Sequence, residues 1–267
     1  MRGWGGVRAA AVGLVLGCGL VGCKSGSATR QAEGVIQPRK GAMVDPVDPA
    51  TLGEVSGVVR FAGKAPEPVR IDTTMDPACG FGGGGDVYSE QYAVKDGRLA
   101  NVYVYVKSWR PGAGGGFVTG HSAVTVLDQK GCVYTPHVIA LEAGDFVEFR
   151  NEDSTMHNVH TMPAVAGNPA IDLSEGPKGP PQSKRFMQPE AMIPVRCNNH
   201  PWMEAFINVS ATPWFAVTGA DGKFELKGLP AGEYTLGAVQ EKMGEQTMAV
   251  TVKPQAEGKA DFTFAIK

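Results

Sequence analysis

Residues 196–209 read Arg196-Cys197-Asn198-Asn199-His200-Pro201-Trp202-Met203-Glu204-Ala205-Phe206-Ile207-Asn208-Val209. Between Cys197 and Met203 stand a thiol, an imidazole and a thioether, and the apolar run 205–209 reads as a strand leaving the loop. Such close spacing lets one loop between adjacent strands present three donor side chains together. A second imidazole lies upstream, in Met156-His157-Asn158-Val159, just after the strand-like stretch ending Phe149-Arg150-Asn151-Glu152-Asp153. A neighbouring strand would bring His157 to the same place. One thiolate, two imidazoles and a thioether form a donor set for a soft, three-plus-one coordinated metal ion.

Working outward from that loop, the chain reads as β throughout. Val102, Val104 and Val106 alternate with Tyr103 and Tyr105, and Val147 and Phe149 alternate with Glu148 and Arg150. Both are the period of two that a half-buried strand requires. Further strands are expected at 55–61, 123–127, 138–141, 248–252 and 261–266. Clusters of glycine and proline at 82–85, 111–116 and 176–181 separate them. Many short strands with such punctuation predict a sandwich, and no amphipathic helix longer than a couple of turns is visible.

The ordered set His157, Cys197, His200 and Met203 resembles that of the cupredoxin (blue copper) family. The Cys-x-x-His-Pro-aromatic-Met loop is closest to the amicyanin and plastocyanin type, and His157-Asn158 matches the family's first ligand. The resemblance covers about eighty residues. It implies a Greek-key sandwich with one mononuclear copper held by His157, Cys197, His200 and Met203, the last as weak axial ligand. Asn158 would tie the two ligand-bearing segments together beside the sulfur. The resemblance also implies that the ring edge of His200, amid Pro201 and Trp202, reaches the surface as the port for electrons. Zinc also suits Cys and His ligands, but the thioether favours copper. His160 and His137 are possible additional ligands, and His121 is expected to be solvated in its glycine-rich loop. Where the family's multicopper members place a His beside the Cys, this chain has Arg196 and Asn198. No second cysteine flanks the loop as a dinuclear centre needs. Neither glycine-rich stretch continues into the Gly-Lys-Ser/Thr of a phosphate loop, and no His-Glu-x-x-His is present. A redox carrier is therefore expected rather than an enzyme. A copper carrier or sensor without redox cycling is the alternative, since Met156, His157, His160 and Met162 would suit Cu(I).

The tail contains Ala220-Asp221-Gly222-Lys223-Phe224-Glu225-Leu226 and Gly228-Leu229-Pro230-Ala231-Gly232-Glu233-Tyr234. This resembles the carboxypeptidase regulatory-like family, a small β-sandwich without catalytic residues of its own. The family's opening strand is matched far upstream by Gly53-Glu54-Val55-Ser56-Gly57-Val58-Val59. One sandwich split by the metal unit, or two sandwiches in tandem, would both account for this. The expected organisation is a lipoprotein signal peptide (1–23), a flexible linker (24–52), an N-terminal β region (53–130), a cupredoxin-like unit (131–210) and the regulatory-like sandwich (211–267).

The start of the chain carries Arg2 and Arg8 before a short apolar run, the shape of a signal-peptide core. Leu20-Val21-Gly22-Cys23 resembles a lipobox, so Cys23 is the expected lipidation site and anchors the exported protein to a bacterial membrane. That places it in the periplasm or at the cell surface. The polar stretch that follows reads as a tether. Formal net charge is −2 and no basic patch is visible, which argues against a nucleic-acid partner. Redox partner proteins are expected, with the chain itself a monomer. Of the five cysteines, Cys18 and Cys23 belong to the export segment and Cys197 to the donor loop. Cys79 and Cys132 remain, and in an oxidising compartment a disulfide between them is the default.

Overall fold

The computed structural model describes residues 48–80, 86–111 and 123–266. The export segment with Cys23, the tether as far as residue 47 and His121 lie outside the described residues. A single 3-10 turn at Pro49–Thr51 lies inside the expected tether, and the strand Leu52–Phe61 follows at once.

The chain is all-β and builds two sandwiches. In one, Leu52–Phe61 runs antiparallel to Lys223–Pro230 and parallel to Glu257–Lys259 and Phe262–Phe264. The facing sheet orders Phe215–Val217, Tyr103–Pro111, Gly232–Gln240 and Gly244–Val252. Val55, Val59, Phe224, Leu226 and Phe262 from the first sheet share a core with Val104, Val106, Leu236 and Val252 from the second. Strand Leu52–Phe61 turns alternate residues inward, and Gly57 falls on that buried face. A Cβ there would sit 1.7 Å from the carbonyl oxygen of Ala260. Glycine is thus what lets the Ala260 carbonyl of the neighbouring C-terminal segment approach the opening strand so closely.

The other sandwich carries the donor residues. Its five-stranded sheet orders Asp172–Glu175, His157–Thr161, Glu190–Arg196, Glu204–Ser210 and Val138–Glu142. The sheet facing it orders Gln182–Arg185, Phe146–Asn151, Val124–Gln129 and Tyr134–Thr135. Leu127, Val147 and Phe149 meet Val159, Ile193, Val195, Ala205 and Ile207 in one core, which also contains Cys197 and Met203. Strand Glu204–Ser210 lies between two neighbours and buries both faces, so its run of apolar residues is nearly unbroken.

One expectation needs correction. Strand Val124–Gln129 pairs in parallel with Phe146–Asn151 along its whole length, so the sandwich that carries His157 and Cys197 begins upstream of the expected boundary at 131. Residues 163–189, between the two donor-bearing segments, also contribute strands to this sandwich. They supply Asp172–Glu175, beside His157–Thr161, and Gln182–Arg185, beside Phe146–Asn151. Both are edge strands with little apolar alternation, because an edge gains from polar and charged side chains that discourage further pairing.

Candidate metal centre

His157 is the first residue of its strand, and the loop before it is built to hold it. Asn151, at the end of the preceding strand, donates through Nδ2 to the carbonyls of Thr155 (2.9 Å), Glu175 (3.0 Å) and Gly176 (3.0 Å). Its Oδ1 accepts from the Asp153 N–H at 3.0 Å. The Asp153 carboxylate in turn accepts from the N–H groups of Gly131 (2.7 Å) and Cys132 (2.8 Å), and meets Nε2 of His157 at 2.8 Å. A carboxylate held by two amides only accepts, so the Nε2 side of His157 carries the proton and Nδ1 faces inward.

The donor loop closes on itself. The Met203 N–H donates to the His200 carbonyl at 2.9 Å, and the Cys197 N–H to the Met203 carbonyl at 3.4 Å. This brings Cys197 Sγ to 3.5 Å from His200 Nδ1, which lies 3.0 Å from His157 Nδ1. The three donor atoms lie within 4.8 Å of one another, and the residues are 4 %, 3 % and 0 % exposed respectively. Met203 is fully buried in the same core. The outer nitrogen of His200 meets Asp76 Oδ2 at 2.9 Å. With both outer nitrogens on carboxylates, two inner imidazole nitrogens and a sulfur converge in a buried space, an arrangement that calls for positive charge at its centre.

The electrostatics agree. Burial alone would raise the Cys197 thiol, but hydrogen bonds with His157, the Asn158 amide and His200 bring it down to about 6. Burial alone would lower His157, yet Asp153 and Cys197 raise it to about 9. Near neutral pH the pair is thiolate and imidazolium, and the proton on His157 stands where a cation would. Ligand bonds of about 2.0–2.3 Å to nitrogen and sulfur set donors around a shared ion about 3.3–4 Å apart; the 3.5 Å between Cys197 Sγ and His200 Nδ1 falls in that range, and the two Nδ1 atoms, at 3.0 Å, would part slightly. The residues fit a single metal ion, and binding would release that proton.

Asn158 joins the two ligand-bearing segments. Its N–H points at Cys197 Sγ (3.3 Å), its Oδ1 accepts from the Asn198 N–H (3.4 Å), and its Nδ2 donates to Asp172 Oδ1 (2.8 Å). His160 and His137 stand apart from the donor group. His160 Nδ1 contacts Asn198 Oδ1 at 3.1 Å, and His137 binds the Glu204 carbonyl (3.1 Å) and Glu241 Oε1 (2.8 Å). Cys79 and Cys132 are disulfide-bonded with Cα atoms 5.7 Å apart.

The expected surface position of the His200 edge is overturned: the ring is buried and its outer nitrogen is covered by Asp76. Pro201 is exposed and Trp202 half-buried, the indole N–H donating to the Cys132 carbonyl at 2.9 Å. Asp76 and Asp153 were not legible as parts of the site. Asp153 lies four residues before His157, but nothing distinguishes it from a turn aspartate. Asp76 lies 124 residues from its partner and carries no local signal.

No family model matches this chain, and no curated protein matches it either. Solved structures similar to part of it include a Cu-containing nitrite reductase from Thermus scotoductus SA-01, at 24% identity and TM-score 0.30. That match covers 38% of this chain and only 25% of the reductase. A purple cupredoxin from Nitrosopumilus maritimus matches at 17% identity and TM-score 0.27, over 32% of this chain and 98% of its own. A proline-to-glycine mutant of amicyanin in its reduced Cu(I) form matches at 22% identity and TM-score 0.29, over 41% of this chain and 98% of its own. Likeness of this extent leaves the choice of metal to the side chains themselves.

Proposed function

We propose that this chain is a lipid-anchored, exported copper protein that binds one copper ion through His157, Cys197, His200 and Met203 and passes single electrons. The observation that carries the reading is the buried convergence of two imidazole Nδ1 atoms on a cysteine sulfur that also accepts an amide N–H. Bound copper supplies a one-electron couple. The protein's part is to keep the donors still, through the carboxylates on both imidazoles and the Asn158 bridge, so that little rearranges between oxidation states. No catalytic group is assigned. Strand Leu52–Phe61 pairing with the tail supports a single regulatory-like sandwich interrupted by the copper unit. Redox proteins are the proposed partners, with attachment to the membrane through Cys23.

A second reading, a copper carrier or sensor without redox cycling, gains support from the covered edge of His200, since an electron carrier benefits from an open one. Cyclic voltammetry of the copper-loaded chain separates the two. A reversible one-electron wave with copper retained supports electron transfer. Absence of the wave together with rapid copper donation to a chelator supports the carrier.

A further inference from the structure

Asp76 belongs to a segment remote in sequence from both ligand strands, yet it is held there from several sides. Its Oδ1 accepts the Ala78 N–H at 2.8 Å, and its Oδ2 accepts the Thr155 hydroxyl at 3.1 Å as well as meeting His200 Nε2. Its own carbonyl accepts the N–H groups of Cys79 (3.0 Å) and Gly80 (2.9 Å). Cys79 is then bonded to Cys132. Cys132 is a junction: its N–H reaches the Asp153 carboxylate that holds His157, and its carbonyl takes the indole N–H of Trp202. Trp202 packs against His200 with ring centroids 5.1 Å apart. The disulfide therefore connects the supports of both imidazoles. Turn capping alone would account for the Ala78 contact through Oδ1, but it leaves unexplained why the other oxygen is aimed at a buried imidazole nitrogen.

We propose that Asp76 is a positioning residue of the metal centre: delivered by the disulfide-anchored segment 72–80, it fixes the His200 tautomer that presents Nδ1 inward and closes the outer ligand edge. The proposal rests on the reading of His200 as a copper ligand. A neutral imidazole can carry its proton on either nitrogen, and only the form with Nε2–H leaves Nδ1 free to bind a metal. An acceptor fixed on Nε2 selects that form before the ion arrives. Closing the edge also removes the route by which water or a chelating group reaches the ligand, so release of the ion is slowed.

The test uses the full chain with 15N-labelled histidine, first metal-free and then loaded with copper. In the metal-free protein, the His200 nitrogen shifts are expected to report the Nε2–H tautomer with a slowly exchanging proton. Asp76→Ala is expected to mix the tautomers and speed that exchange. Copper affinity, measured by competition with a chromogenic Cu(I) chelator, is expected to fall about 10–100-fold in the same variant, as when other groups behind metal ligands are removed. Asp76→Asn keeps an acceptor oxygen without the charge, so it should retain the tautomer while losing part of the affinity. Should Asp76→Ala fail to fold by circular dichroism, the cysteine pair variant that follows decides on the tautomer and the exchange rate. The Cys79→Ala/Cys132→Ala pair should move the His200 signals in the same direction as Asp76→Ala. Unchanged tautomer, exchange and affinity in variants that still bind copper would overturn the role of Asp76 and leave the copper reading standing. A wild-type chain that takes up no copper would overturn the copper reading, and the role at a metal with it, whatever the nitrogen shifts report.

Discussion

Asn158 touches two other segments at once, the donor loop at the Cys197 sulfur and the Asn198 amide and the edge strand at Asp172, and shows how the site is held residue by residue. Replacing it by alanine keeps the backbone N–H on the sulfur but removes the side-chain links to Asn198, Asp172 and the Leu173 carbonyl. We expect Asn158→Ala to weaken copper binding about 10–100-fold while a Cu(II)–thiolate colour persists, checked by chelator competition and absorption. The donors and Asn158 were legible because their signals are local: His157-Asn158, and three donor types within one short loop. Asp76 was hidden because its partner is 124 residues away and an aspartate before Pro77 looks like any turn capper. The port expected at His200 failed for the same reason, since the covering group comes from a distant segment.

Two elements carry constraints that their sequences show only in part. Strand Leu52–Phe61 is readable from its alternation, but the need for Gly57 appears only when the Ala260 carbonyl is seen packed against it. Gly57→Ala forces that contact apart and is expected to destabilise the chain by about 3 kcal/mol, measured by urea unfolding of the full protein. The disulfide links residues 53 apart and anchors the segment that bears Asp76. Cys79→Ala/Cys132→Ala is expected to cost about 2–5 kcal/mol in the same assay. Central strands such as Glu204–Ser210 were visible as apolar runs, whereas the edges Asp172–Glu175 and Gln182–Arg185 were not. Edge strands answer to solvent more than to the core, so hydrophobic periodicity barely marks them.

Across the whole molecule, the two sandwiches meet at His137, which leads into strand Val138–Glu142, and Glu241, at the turn after Gly232–Gln240. Their side chains are 7 % and 2 % exposed. Burial opposes a charged His137, but the hydrogen bond to Glu241, with a further contribution from Glu90, raises it above its ordinary value. The folded state therefore holds the proton more tightly than the unfolded one. The stabilisation is complete below about pH 6.5 and is lost as pH rises through the raised value. Thermal unfolding of the metal-free chain should accordingly lose stability across that window, less steeply in His137→Gln. Equal slopes would mean that the contact contributes nothing. This join between the sandwiches, unlike the donor set, has no sequence signature, since a His and a Glu 104 residues apart pair only once both folds exist. The central claim, one copper bound through the Cys197 thiolate, is tested most directly by the visible absorption spectrum of the Cu(II)-loaded full chain beside that of Cys197→Ser. The account predicts an intense thiolate-to-copper band saturating at one copper per chain and missing from the variant. A colourless loaded protein, or a band that survives in Cys197→Ser, would contradict it.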